Sequence, residues 1–122
     1  MASWQTFYEQ LKKEGFEVYS PGQKRGECTS KYVVIKNYGK GLYSNISTYE
    51  QLYDIICYVP KNNYSELEDY VESVKKCLNG LKSKYMVRFK HQDDSSYFDE
   101  EIKGHQLSFR YALYKKCKEE KV

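Results

Sequence analysis

The centre of the chain, from Tyr49 to Leu81, reads YEQLYDIICYVPKNNYSELEDYVESVKKCLNGL. Its first part alternates in polarity, which predicts a strand over residues 49–59 with one buried face. Pro60 ends this strand because proline has no N–H to donate to a sheet. From about Tyr64, apolar residues recur every four or three positions, which predicts an amphipathic helix lying on a sheet. The residues of this apolar stripe are Leu67, Val71, Val74, Leu78 and Leu81.

The predicted helix has two candidate caps at its start. Ser65 and Glu68 have the S-x-x-E spacing of a capping box, in which two side chains satisfy backbone N–H groups reciprocally. Asn63 is the rival cap, since its side-chain oxygen can accept a hydrogen bond from the first turn. Both agree with a helix over about residues 64–81.

Helical and strand patterns continue on both sides of this stretch. Trp4, Phe7, Tyr8 and Leu11 fall on one helical face, which predicts a first helix over residues 3–14. Alternation, together with β-branched and aromatic residues, predicts further strands at residues 16–19, 32–38, 86–91 and 106–114, with a short one near 97–98.

This order of elements, helix, strands, helix, strands, predicts an α+β fold. We expect an antiparallel or mixed sheet of about four to five strands with two helices packed on it. A chain of 122 residues has the size of one domain, so residues 1–122 are expected to form a single domain. The charged segment 115–122 is expected to be a frayed tail.

The composition argues against several classes of protein. The 20 basic and 17 acidic residues give a net charge of +3, a weak excess that is spread along the chain instead of forming a basic face. No stretch approaches the roughly 20 apolar residues of a membrane-spanning helix, and the first residues lack the pattern of a secretory signal. The 14 tyrosines supply rings suited to half-buried sheets and to protein interfaces.

The four cysteines predict neither a metal site nor a disulfide framework. Cys28, Cys57, Cys77 and Cys117 stand far apart, whereas zinc ribbons and fingers need close C-x-x-C pairs. Scattered thiols without a secretory signal favour a soluble protein in a reducing cytoplasm. Cys57 lies on the predicted buried face of its strand and is expected to fill the core.

The residues with reactive side chains do not form a recognisable catalytic pattern. His91, Asp93, Asp94 and His105 could meet across a hairpin as metal ligands, but an exposed polar hairpin is the favoured interpretation. The adjacent acids at residues 99–101 could act in acid–base chemistry, although such a run is typical of a solvated loop. We therefore expect no enzyme activity, no cofactor and no bound metal.

Three segments of the chain resemble a known family. They are YVVIKNYG at 32–39, STYEQLYDIICYVPKNNYSELEDYVESVKKCLNGL at 47–81, and GHQLSFRYALYKK at 104–116. Together they resemble the small tail-terminator and tail-completion proteins of tailed phages and phage-tail-like particles. The resemblance covers about residues 30–116.

The resemblance implies a structural role in the tail. Such proteins form a ring, commonly a hexamer, that caps the tail tube, stops its polymerisation and joins the tail to the head-proximal complex. The implied partners are other copies of the chain, the tail tube protein, a head-completion protein and, in contractile tails, the sheath protein. Nucleic acid is implied only in passage through the ring lumen, and no membrane contact is implied. The implied location is the host cytoplasm during assembly, then the virion tail or tail-like particle.

Three other functions remain open. The chain could be another head–tail completion or connector protein. It could be a small nucleic-acid-binding module, because Tyr85, Arg88, Phe89 and Lys90 interleave aromatic and basic side chains. It could also be an enzyme whose distant residues meet in a pocket.

Loops displayed by a sheet are the expected contact surfaces of such a ring. One loop spans residues 37–45 and turns at Gly39-Lys40-Gly41, and an acidic loop follows the strand at 86–91. A basic pair is expected to face the acidic loop across a subunit interface, where opposite charges guide register. The expected interface residues are Lys24, Arg25, Tyr38, Lys40, Tyr43, Asp93, Asp94, Tyr97, Phe98, Asp99, Glu100 and Glu101.

Overall fold

The computed structural model describes residues 4–45, 48–81, 87–93 and 95–116, with the backbone alone for residues 40–45, 48 and 114–116. Its helices are α1 (Trp4–Lys13), a 3₁₀ helix (Lys61–Glu66) and α2 (Leu67–Asn79). Its strands are β1 (Val18–Tyr19), β2 (Tyr32–Asn45), β3 (Thr48–Pro60), β4 (Val87–Gln92), β5 (Tyr97–Asp99) and β6 (Gly104–Lys116).

The strands form one mixed sheet in the order β1-β2-β3-β6-β4. β1 pairs with β2 in parallel, and the other neighbours pair antiparallel. β3 pairs with β6 over its full length. β5 and β4 both pair with the other edge of β6, β5 near the start of β6 and β4 further along it. The predicted α+β fold is confirmed. The sheet has six strands, where four to five were expected. Two of the six, β1 and β5, are only two and three residues long.

Both helices pack on one face of the sheet. Alternating residues of β3 and β6 point into this core, and so does the apolar stripe from Leu67 to Leu81. The buried strand residues are Tyr53, Ile55, Cys57 and Val59 of β3 and Leu107, Phe109, Tyr111 and Leu113 of β6. Cys57 is fully buried in the core, as expected. The buried Tyr111 and the partly buried Trp4 also find polar partners, since Tyr111 Oη donates to Asn79 Oδ1 at 2.7 Å and Trp4 Nε1 donates to the Ile35 carbonyl at 2.6 Å. These bonds tie both helices to the sheet.

The predicted start of the second helix is wrong. α2 begins at Leu67, and neither Ser65 nor Asn63 caps it, because the residue before the helix is Glu66 and no side-chain cap bond is present there. Asn63 Nδ2 instead donates to Glu66 Oε2 at 2.9 Å. The Leu67 N–H donates to the carbonyl of Tyr64. The preceding 3₁₀ helix therefore provides an acceptor of the kind that a capping side chain would otherwise supply.

The predicted turn at residues 39–41 is also wrong, because β2 continues through it to Asn45. The register shifts between Asn37 and Gly39, so Tyr38 is an extra residue in a β-bulge. Gly39 has a φ of 122°, a conformation open to glycine, and this lets the strand pass the bulge without ending. The Asn37 side chain accepts hydrogen bonds from the Gly39 N–H at 3.0 Å and from Gln51 Nε2 at 2.7 Å, which hold the bulge in place.

The predicted tail at 115–122 is wrong for its first two residues. Lys115 and Lys116 belong to β6 and pair with Tyr49 and Thr48. Residues 117–122 lie outside the described part of the chain. Three long strands, β2, β3 and β6, therefore run together to one end of the sheet.

Candidate interaction surface

The face of the sheet opposite the helices carries several hydrogen bonds and ion pairs between side chains of different strands. We call it the helix-free face. Its side chains alternate along the strands with those of the core. They include Tyr32, Val34, Lys36 and Tyr38 of β2, Asp54, Ile56 and Tyr58 of β3, Ser108 and Arg110 of β6, and Lys90 and His91 of β4.

One end of the helix-free face is apolar and covered. Cys28, Tyr32 and Val34 form a small buried cluster there, and Tyr32 stacks on Tyr58 with ring centroids 4.7 Å apart. The Cys28 N–H donates to the carbonyl of Ile102 at 2.6 Å, which fixes the loop between β1 and β2 across this end. Burial raises the pKa of the Cys28 thiol, so Cys28 is held in its unreactive protonated form.

The centre of the helix-free face is an aromatic and ionic triad of Tyr38, Arg110 and Asp54. Arg110 Nε donates to Asp54 Oδ1 at 2.7 Å, and this hydrogen bond raises the pKa of the guanidinium above its ordinary value. The ring centroid of Tyr38 lies 3.5 Å from the guanidinium carbon, which is cation–π geometry. Tyr38 is 53% exposed, and its ring packs on the guanidinium of the ion pair.

Further polar contacts flank this triad. Lys90 Nζ lies 2.7 Å from Glu50 Oε2, and the Glu50 side chain is almost fully buried. Ser108 Oγ donates to Asp93 Oδ2 at 2.7 Å, and His91 Nε2 lies 3.6 Å from Asp93 Oδ1. A depression here encloses about 120 Å³, less than the roughly 300 Å³ at which small-molecule sites begin, and is lined by Asp54, His91, Asp93, Ser108, Phe109 and Arg110. This depression is therefore smaller than a typical small-molecule site.

The structure separates the two histidines of the metal hypothesis. His91 lies level with Arg110 on β6, five residues or about 17 Å along the strand from His105. His105 Nε2 instead lies 3.2 Å from the carbonyl of Lys61, and the rings of Tyr64 and Phe98 flank it. Within the described ranges, no three His, Cys, Asp or Glu residues are grouped to hold a metal ion. Asp94 lies outside the described residues.

The acidic loop and the basic pair lie at the same end of the sheet but near opposite edges. Asp99, Glu100 and Glu101 form the turn from β5 into β6, where Asp99 Oδ1 accepts the Glu101 N–H at 3.0 Å. Lys24 and Arg25 lie in the loop that leads from β1 to β2.

Lys24 has its nearest acidic partner in its own chain. Its Nζ lies 3.9 Å from Glu17 Oε2 and within 5.7 Å of the ring centroids of Tyr19 and Tyr32. Arg25 is exposed. Of the two basic residues expected at a subunit interface, Arg25 is therefore the one with the more exposed side chain for contact with another copy.

The other predicted interface residues divide into three groups. Tyr38 and Asp93 lie on or beside the helix-free face. Tyr97 is 59% exposed, and Phe98 packs against His105 near the acidic turn. The side chains of Lys40 and Tyr43 lie outside the described part of the chain, so their predicted roles stay predictions.

Sequence reasoning missed Arg110 and Asp54, which the structure places at the centre of the surface. Both are charged residues at outward positions of otherwise apolar strands, and that pattern was the available signal. Their pairing was not visible, because they are 56 residues apart in the chain.

Two residues of the nucleic-acid alternative, Phe89 and Lys90, lie on opposite faces of the sheet. Phe89 packs on Phe109 and Tyr111 on the helix side of the sheet, whereas Lys90 pairs with Glu50 on the helix-free face. Tyr85 lies outside the described residues. A stacking groove needs rings and cations on one surface, so this separation weakens the alternative.

No family model matches the chain, and no curated protein matches it. In the part of the chain that is described, neither α-helix has the length and apolar content needed to cross a bilayer. The fold and surface define a small α+β protein with paired charged side chains on the helix-free face of its sheet.

Proposed function

We propose that the protein is a tail terminator of a phage or phage-tail-like particle. In this role, copies of the chain form a ring, of six by the family resemblance, on the last ring of tail tube subunits. The ring stops further polymerisation and presents a surface to the head-proximal complex and, in a contractile tail, to the sheath. The resemblance of residues 32–39, 47–81 and 104–116 supports this role, as does the α+β fold.

The observation that carries the proposal is the triad of Tyr38, Arg110 and Asp54. Tyrosine and arginine are enriched among the residues that dominate protein–protein binding. Here the two side chains are already positioned, since the carboxylate of Asp54 holds Arg110 and the guanidinium holds the Tyr38 ring. Positioning before contact reduces the entropy lost on binding. An exposed tyrosine fixed in this way is a feature of an assembly surface.

The mechanism is occupancy of the tube end. A terminator binds the open end and offers no equivalent surface to the next tube subunit, so growth stops. A ring of identical copies needs a heterologous contact, in which two different patches of each copy meet. The helix-free face and the charged loops at its two sides provide different patches on one molecule.

The test is co-assembly with the tail tubes of the same particle. Purified protein is mixed with tubes, tube subunits are then added, and the ends are imaged by electron microscopy. We expect a ring of density at one end and no further growth there. Bare ends that keep growing would reject the terminator role and favour another head–tail completion function.

A pair of variants tests the surface itself. Tyr38→Ala removes the exposed ring and leaves the Arg110–Asp54 pair, so we expect at least tenfold more protein to be needed to cap half of the ends. Tyr64→Ala is the matched control, since Tyr64 is 55% exposed against 53% for Tyr38 and lies in the 3₁₀ helix. Equal capping by the two variants would remove Tyr38 from the interface.

A further inference from the structure

We infer that the covered end of the helix-free face holds a binding site for a trimethylammonium group, formed by Glu17, Tyr19 and Tyr32 and occupied at rest by Lys24 of the same chain. We call these three residues the ammonium cage. The ligand class is a quaternary ammonium ion, as carried by choline or by a trimethylated lysine side chain. The inference goes beyond the proposed terminator function, which does not use this site.

Two aromatic rings form adjacent walls of the cage. The rings of Tyr19 and Tyr32 lie nearly perpendicular, at an interplanar angle of 80° with centroids 5.6 Å apart. Tyr32 is buried and stacks on Tyr58, which fixes this wall from behind. Lys24 Nζ lies 5.6 Å from the Tyr19 centroid and 5.7 Å from the Tyr32 centroid, within the roughly 6 Å of a cation–π contact. Proteins bind quaternary ammonium ligands with aromatic faces arranged around the cation in this way.

A carboxylate completes the cage. Glu17 Oε2 lies 3.9 Å from Lys24 Nζ. Glu17 accepts hydrogen bonds from the Tyr19 hydroxyl and from Ser30 Oγ at 3.0 Å, and these bonds, first the one from Tyr19, lower the pKa of the carboxyl group. The carboxylate is therefore ionised at neutral pH, and two hydroxyl groups hold it in place independently of Lys24.

The space around Lys24 Nζ fits a methylated cation better than a bare ammonium group. A charge-assisted hydrogen bond from an ammonium group spans about 2.7–2.9 Å, whereas Nζ lies 3.9 Å from the Glu17 carboxylate. A methyl carbon lies about 1.45 Å from its nitrogen and contacts ring carbons at about 3.5–4.0 Å. A trimethylammonium nitrogen therefore lies roughly 5.0–5.5 Å from a ring that its methyl groups touch, close to the distances that Nζ makes to the two rings.

Lys24 is a resident occupant that an external cation can displace. Every residue from 21 to 27 is exposed except Lys24, so this side chain docks an otherwise exposed segment onto the sheet. Gly22 and Gly26 bend the chain on both sides of it, with φ values of 81° and 84°. The Lys24 side chain is itself 25% exposed, so solvent reaches the cage beside it. A ligand that takes its place releases the segment and leaves the strands paired.

The test is binding of choline to Lys24→Ala, which lacks the resident cation. Because a ligand stabilises the state that binds it, choline should raise the melting temperature by about 4–7 °C at roughly ten times its dissociation constant. Two controls should leave the melting temperature unchanged: the neutral analogue of choline in which carbon replaces nitrogen, and sodium chloride at the same ionic strength. An equal rise with choline and its neutral analogue, or no rise with choline, would overturn the site.

Matched variants show whether the cage is the place of binding. Lys24→Ala/Tyr19→Leu removes one ring and Lys24→Ala/Glu17→Gln removes the negative charge, so each should weaken choline binding roughly 2- to 30-fold. Lys24→Ala/Tyr97→Leu is the control, since Tyr97 is an exposed strand tyrosine outside the cage, and it should bind choline as Lys24→Ala does. Equal affinity of the Tyr19→Leu and Tyr97→Leu proteins for choline would contradict the assignment.

The wild type tests the exchange and needs no folded variant of the cage. Protein with isotope-labelled lysine is followed by NMR, and the Lys24 ε-methylene signal, which the two rings shift, is identified by its loss in Lys24→Ala. Choline should move this signal to the position of a solvent-exposed lysine. Half displacement should need at least about tenfold more choline than binding to Lys24→Ala does, because a tethered side chain competes at high effective concentration. A signal that stays in place throughout the titration would overturn the exchange.

A second probe separates the two sources of the trimethylammonium group. Acetylated trimethyl-lysine carries this group on a lysine stem. Binding to Lys24→Ala more tightly than choline would support the site and identify a methylated lysine side chain as the ligand, whereas tighter binding of choline would support the site with a choline compound as the ligand. Tube capping is measured independently, so failure of the ammonium cage leaves the test of the terminator role unchanged.

Discussion

Replacing Gly104 with alanine is expected to destabilise the protein by overpacking at the first residue of β6. An added Cβ would lie 2.8 Å from Cys28 Cβ, 3.1 Å from Cys28 Sγ and 3.2 Å from the Val59 carbonyl oxygen. Relief of these contacts needs a shift of β6 or of the loop that carries Cys28, and both are anchored by backbone hydrogen bonds. Overpacking of this kind costs about 1–3 kcal/mol. At roughly 3–5 °C per kcal/mol for a chain of this size, the melting temperature should fall by about 3–15 °C.

A double-mutant cycle identifies the cause of this loss. Cys28→Gly removes the two closest atoms and should itself cost about 1 kcal/mol through lost burial. In Cys28→Gly/Gly104→Ala the new methyl group has room, so the combined loss should be at least about 1 kcal/mol smaller than the sum of the two single losses. The free energy of unfolding is measured in urea. Additive losses, or a Gly104→Ala protein as stable as the wild type, would refute the reasoning.

Two further predictions concern a buried hydroxyl and a surface carboxylate. Tyr111→Phe removes the hydroxyl that donates to Asn79 and should lower the free energy of unfolding by about 1–2 kcal/mol in urea; wild-type stability would show that this hydrogen bond contributes nothing. Glu17 has a pKa below its ordinary 4.5, first because the Tyr19 hydroxyl donates to it and also because of Ser30. Its stabilising effect is therefore full above pH 4.5 and is lost as the pH falls through the lower pKa of the folded state. The stability difference between wild type and Glu17→Gln should shrink on acidification below pH 4.5, and a difference that stays constant from neutral to acid pH would contradict this assignment.

The parts of the fold that depend on local periodicity were predictable from sequence. The stripe from Leu67 to Leu78 is buried as the helical spacing predicts. The apolar alternation over residues 107–113 is buried as the strand period predicts. In both cases, one repeating pattern determines which side faces the core, so no knowledge of distant residues is needed.

Helix starts and strand irregularities that depend on the adjoining element or the neighbouring strand were not predictable. Ser65 has the spacing of a cap but lies in a 3₁₀ helix that follows directly from Pro60. Gly39 has the composition of a turn but serves a bulge, because Gln51 on the neighbouring strand bonds to Asn37 and to the Gly39 carbonyl. Local sequence does not show these partners, which become neighbours only when the sheet forms.

The candidate surface was predictable only in part. Tyr38 was expected at an interface because of its loop-like surroundings, whereas it is fixed by Arg110, a residue 72 positions later in the chain. Lys24 was expected to face the acidic loop of another copy, which stays a prediction, and its neighbour Glu17 in the same chain was not foreseen. Charge signs are visible in a sequence, whereas their pairing depends on tertiary neighbours.

The register shifts of the sheet have a consequence for how this sequence should be aligned with any relative. β2 shifts against β3 between Asn37 and Gly39, between Lys40 and Tyr43, and between Tyr43 and Asn45, and β4 shifts against β6 between Phe89 and His91. An insertion or deletion elsewhere in either strand would turn every following side chain to the other face, so selection should remove such changes. Length differences between homologues are therefore expected at these register shifts and in the connecting loops. An alignment that places its gaps there will match core-facing residues of one sequence with core-facing residues of the other.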